Sequence, residues 1–125
     1  MSRLGKVQVT IVFKASTPEL VAEGDRIFAS HAAWMEASHH RDGELELLTY
    51  EVSKGPEFNN MLDPSSGPTG STYFVLNEIY ETEAGVADHW RMGSEEWQDF
   101  GAMVEWMGQC HVDVIHGCPV IHSLW

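Results

Sequence analysis

The chain has 125 residues, 43% of them hydrophobic, enough for one folded domain that buries roughly two-thirds of its unfolded surface. Seven Lys and Arg against 19 Asp and Glu give a formal charge of −12, which repels phosphate backbones and argues against a nucleic-acid partner. No apolar run approaches the ~18 residues of a membrane span, so no membrane partner is expected.

The start, MSRLGKVQVTIVF, lacks the long apolar region and small-residue cleavage site of a signal peptide, so a cytoplasmic location is expected. Cys110 and Cys118 form no CxxC pair and are too few for a disulfide framework. The dispersed cations Lys14, Arg26, Arg41, Lys54 and Arg91 offer no focused anion site, so a neutral or aromatic small molecule suits the chain better.

In chain order, Val7–Lys14 alternates, with Val7, Val9, Ile11 and Phe13 on one face, as a half-buried strand does. Ser16-Thr17-Pro18-Glu19 is a helix start, with Glu three residues after Ser and Pro in the first turn. That helix should run to about Ser38 on a stripe of Leu20, Val21, Ile27, Phe28, Trp34 and Met35, interrupted near Gly24, with His31 inside the stripe. Arg41-Asp42-Gly43 supplies a turn, and Glu44–Ser53 is the second expected strand. Residues 54–71 are rich in Gly, Pro and Ser without periodicity and are expected to form a long loop insertion. Phe58, Met61 and Leu62 within it suggest packing against a pocket or a dimer contact.

Tyr73–Glu81 is a strand by its aromatic and β-branched content and leads directly into a helix start at Thr82. A break is expected near Gly93, with a second start at Ser94 followed by Glu95 and Glu96. The second piece continues through Phe100, Val104 and Met107. Cys110–His116 fits either a helix tail or a strand; the stripe reaching His111 and Val114 favours the tail, with Pro119–Leu124 as the last strand. The resulting order, β-α-β-β-α-β in one domain spanning 1–125, is the ferredoxin-like α+β arrangement with an antiparallel sheet. Val12, Leu48, Val75 and Ile79 would lie on the sheet face away from the helices, which calls for a second copy of the chain to cover them.

Glu78, Tyr80, His89, Ser94 and Trp97 carry a family resemblance: a strand ending in Glu-x-Tyr, a polar turn, then a helix with a His, a Ser and an aromatic at set offsets. This is similar to the antibiotic biosynthesis monooxygenase group of dimeric α+β barrels. The resemblance implies a homodimer paired sheet to sheet. It also implies a cofactor-independent monooxygenase, an oxidoreductase that deprotonates a quinol- or polyketide-like aromatic so that the anion reduces oxygen. A heme-degrading branch of the same superfamily is not matched: its axial His position falls at Gly101 and its pocket Trp position at His89.

His89 and His31 are the candidate catalytic bases, since both sit on sheet-facing stripes of helices that this fold places side by side. Trp34, Trp90 and Trp97 are the candidate substrate-binding walls of the same pocket. The histidine and cysteine spacings match no closed zinc site, and the chain lacks Gly-rich phosphate cradles and nucleophile elbows, so neither a metal nor another cofactor is expected. The same scaffold would equally serve a non-catalytic dimer that binds a small molecule or has a stress or accessory role.

Overall fold

A computed structural model describes residues 2–125. The alternation of the first segment is realised as β1 (Val7–Ala15), in which every second residue from Val7 to Ala15 is buried. Helix α1 (Pro18–Ser38) starts one residue later than a Ser16 cap would place it. Thr17 is the cap, its Oγ1 accepting the Leu20 N–H at 3.2 Å, with Pro18 in the first helical position. The gap in the stripe of α1 has a packing reason: a Cβ on Gly24 would stand 2.7 Å from Trp106 and 2.8 Å from Phe74. The helix approaches the sheet closely only because that atom is missing.

Residues 54–71 are not a loop. They are the far half of a hairpin between β2 (Leu47–Asn60) and β3 (Asp63–Tyr80), which pair from Leu47↔Tyr80 out to Asn60↔Asp63. Pairing of β1 with β3 ends at Ala15↔Thr72, so the hairpin beyond that point is a two-stranded arm. Its Pro and Gly residues read as loop, but an arm with two free edges tolerates Pro, and the register shifts after Pro56 and Phe58 absorb the irregularity. Glu57 ties down the base of the arm, accepting from Lys14 Nζ (3.0 Å), Tyr73 OH (3.0 Å) and Thr69 OH (2.9 Å). Met61 and Leu62 at the tip are almost wholly exposed.

Helix α2 (Glu83–Glu96) begins at the expected cap, Thr82, but does not break at Gly93. Ser94 is interior to it, donating from its hydroxyl to the Arg91 carbonyl, and the break falls at Trp97–Asp99 before α3 (Phe100–Gln109). The favoured helix tail over 110–116 is also corrected. His111–Pro119 is the strand β4, paired antiparallel with β1 from Lys14↔His111 to Val7↔Pro119. Its β-branched alternation outweighed the helical stripe. Gly117, at φ 81°, sits by the register shift in this ladder and does not end a helix.

The sheet order is β2-β3-β1-β4, all antiparallel, consistent with a ferredoxin-like α+β fold. Three helices cover one face, and the core between them centres on Phe13, Phe28, Phe74 and Trp106. On the opposite face Val12, Val75 and Ile79 are half-buried beside a polar chain of Gln8, Thr10 and Asn77, while Leu48, expected there as well, falls unpaired at the register shift between Leu47 and Thr49. No described helix is long and apolar enough to cross a membrane.

Candidate functional site

Each helix contributes a wall to a cavity of about 180 Å³ between itself and the sheet. All five residues singled out from the sequence line it: His31 and Trp34 from α1, His89 and Trp90 from α2, and Trp97 at the end of α2. Trp34 and Trp97 stack with ring centroids 5.7 Å apart, and Gly93 leaves open the space that a side chain there would fill. Val9, Ile11 and Leu76 form the sheet side, so the lining is apolar except at one corner.

That corner is built around Glu78, which sequence reasoning left out of the site. Along β3 the inward positions run Phe74, Leu76, Glu78, Tyr80, so the period-2 pattern that buries the strand also buries a carboxylate. Its signal in the sequence is an acid at an inward position of an otherwise apolar alternation. Tyr80 donates to Glu78 Oε1, while Oε2 has no hydrogen-bond partner among the described residues. Burial pushes the Glu78 carboxyl up to about 7, against the Tyr80 hydrogen bond, which lowers it. Among the described residues Trp90 Nε1 is the other buried side-chain polar atom left unpartnered.

The histidines around this carboxylate are held by their outer nitrogens. His31 Nδ1 lies 2.8 Å from the Tyr50 hydroxyl, and His89 Nδ1 lies 2.8 Å from His39 Nε2. His39 was read from the sequence only as half of an adjacent pair at a helix end. In fact it is buried within the network, while His40 is exposed near Asp88.

The protons in this chain can be placed by elimination. Ser38 spends its only proton on the Trp34 carbonyl at 2.6 Å, so at 2.9 Å it can only accept from His39 Nδ1–H. His39 Nε2 is then an acceptor and takes the His89 Nδ1–H. His89 Nε2 is therefore left as a bare lone pair, 3.6 Å from Glu78 Oε1. Burial lowers His31 and His89 to about 3 and His39 to about 4, which keeps all three neutral. His89 is thus a poor proton acceptor, and the carboxylate is the stronger base in the pocket.

One nitrogen each from His31 and His89 and one carboxylate oxygen from Glu78 lie within 4.8 Å of one another, all on buried residues. No family model, curated protein or solved structure matches this chain. What the site can do follows from its own geometry: an apolar, aromatic pocket with unpaired acceptors at Glu78 Oε2 and His89 Nε2 and an unpaired donor at Trp90 Nε1.

Proposed function

We propose that the protein is a monooxygenase for a small, neutral, one-ring aromatic of the quinol type, and that Glu78 rather than His89 takes the substrate proton. The observation that carries this reading is the unpartnered Glu78 Oε2 at the polar corner of an apolar cavity. A buried acceptor left unpaired costs about 1–3 kcal/mol, and a ligand hydroxyl removes that cost. The volume narrows the substrate. An apolar cavity of ~150 Å³ accepts benzene, so about 180 Å³ suits a single substituted ring better than a fused polyketide.

Under this reading the hydroxyl O–H breaks and its proton passes to Glu78. The quinol anion gives electrons to dioxygen, a C–O bond forms at a ring carbon, and the resulting peroxide takes the proton back from Glu78 to become a hydroperoxide. Loss of water then breaks the O–O bond and leaves a hydroxyquinone. One oxygen atom ends in the product and the other in water, so no outside reductant is needed. Trp90 Nε1 is the natural donor to a ligand oxygen, and the stacked Trp34 and Trp97 hold the ring. Pairing of two copies through the outer sheet face completes the proposal, since the half-buried Val12, Val75 and Ile79 lie there.

The experiment is oxygen uptake with labelled dioxygen across a panel of one-ring quinols, for the parent protein and for Glu78→Gln. One labelled atom per product, with a loss of roughly 10²–10⁴-fold in the variant, is the expected result. Absence of uptake by the parent, or uptake indifferent to Glu78→Gln, would sink the proposal.

A further inference from the structure

The same corner has a property that proton transfer does not use. His89 Nε2 is a lone pair by elimination, and it faces a carboxylate, which is also an acceptor. A proton on Glu78 could lie between these two acceptors, but at 3.6 Å they are too far apart for a hydrogen bond, and a bound cation answers both lone pairs at that distance. His31 makes its hydrogen bond through Nδ1, so its Nε2 is the nitrogen available on the third side.

We propose that His31, Glu78 and His89 bind a divalent first-row transition-metal ion, with its remaining coordination positions open to the cavity. Two imidazoles and one carboxylate are the donor set that such ions prefer, whereas Mg²⁺ and Ca²⁺ favour all-oxygen sites. The spacing fits. Two ligands each about 2.1 Å from one ion at a near-tetrahedral angle stand ~3.5 Å apart, and His89 Nε2 is 3.6 Å from Glu78 Oε1. The supporting residues fit as well. Histidine ligands are ordinarily oriented by a hydrogen bond from the other ring nitrogen, which Tyr50 and His39 supply here. Tyr80 fixes the carboxylate by donating to Oε1 itself, which leaves Oε2 free as a further donor atom.

The three ligands come from α1, β3 and α2, far apart in sequence, so no motif announces them. This inference goes beyond the oxidation proposed above. An ion at this corner takes the place of the proton that Glu78 would accept, and it offers a coordination position to the same substrate oxygen.

The test is cobalt(II) titration of chelator-stripped protein without organic ligand. Binding is followed by metal analysis, by the visible absorption of the ion and by quenching of tryptophan fluorescence. Quenching is a local readout, because Trp90 and Trp34 lie 5.3 and 5.9 Å from the His89 ring and Trp97 lies 5.0 Å from that of His31. The expected result is one ion per chain, with affinity reduced more than about tenfold in Glu78→Gln and in His89→Gln. Tyr50→Phe should also weaken binding, whereas exposed His111→Ala should not.

Circular dichroism checks that each variant is folded. Should both ligand variants unfold, Tyr50→Phe decides, and unchanged affinity there overturns the proposal. Failure of the folded parent to bind, or binding that follows the exposed histidines, also overturns it. Because no quinol is present, this outcome is independent of whether the chain oxidises one.

Discussion

His39 Nε2 and His89 Nδ1 meet at 2.8 Å across fifty residues of sequence, and that contact decides which nitrogen of His89 faces the cavity. Leu in place of His39 would remove the acceptor. His89 could then keep an unsatisfied Nδ1–H, or move the proton to Nε2 and donate to Glu78. The second state is better, because an unpaired buried donor costs about 1–3 kcal/mol. We expect His39→Leu to switch His89 from the Nδ1–H to the Nε2–H tautomer, read from imidazole nitrogen chemical shifts. An unchanged tautomer would mean that Ser38 and His39 do not set it.

The buried histidines also set a pH dependence for the chelator-treated protein. Burial holds His31 and His89 near 3 and His39 near 4 when folded, against 6.5 for the free side chain. The unfolded chain binds more protons between those values, so their contribution is complete above about pH 6.5 and is lost as pH falls toward 3–4. Glu78 acts in the opposite sense. Raised by burial from 4.5 to about 7, it favours the fold below pH 4.5 and loses that contribution as pH rises to about 7. Three groups oppose one, so stability should rise between pH 4.5 and 6.5, and His39→Leu should flatten that slope. Denaturant midpoints across the range measure it. A flat parent profile would contradict the buried, neutral state of the histidines.

The two faces of α1 and α3 give a further prediction through their glycines. Ala at an exposed helical Gly usually stabilises by up to ~1 kcal/mol. Gly108 in α3 has open space around its missing Cβ, so Gly108→Ala should stabilise by about that amount. At Gly24 the added methyl would overlap the buried Trp106 and Phe74 rings, and overpacking costs about 1–3 kcal/mol. Gly24→Ala should therefore destabilise, and opposite signs in paired thermal melts are the expected result. A stabilised Gly24→Ala would show that α1 can move away from the sheet.

Periodicity made β1, the body of α1, the end of β3 and the start of α2 legible, because each carries a buried stripe of one clear period. It misplaced elements where composition and period disagree. The arm over 54–71 is rich in turn residues yet strand-paired, and 111–119 carries both a helical stripe and β alternation. His31, His89 and the three tryptophans were legible as inward positions. Glu78 and His39 were not, because their roles arise from what lies across from them in space. A lone acid at an inward strand position and a His at a helix end gain chemical meaning only when α1, α2 and β3 are brought together.

The last prediction concerns the hairpin arm and the second copy of the chain. Nine residues of β3, 63–71, lie beyond the last β1 partner, enough for an extension of roughly 30 Å. A two-stranded ribbon in water is marginal on its own, and this one ends in the exposed Met61 and Leu62. A second copy docked on the outer sheet face would cover Val12, Val75 and Ile79 and give the arm a surface to lie on. Sedimentation at micromolar concentration should then report about twice the 14.0 kDa chain mass. Val75→Lys places a charge at the middle of that face, opposite Val12 in the β1–β3 ladder, and should return the mass to that of a single chain without unfolding it. Replacing residues 57–71 by an Asn-Gly turn, which joins the paired Pro56 and Thr72 without changing register, should leave the sheet folded and weaken the dimer. A parent that sediments as a clean monomer would defeat the pairing, and a dimer indifferent to Val75→Lys would place its interface elsewhere.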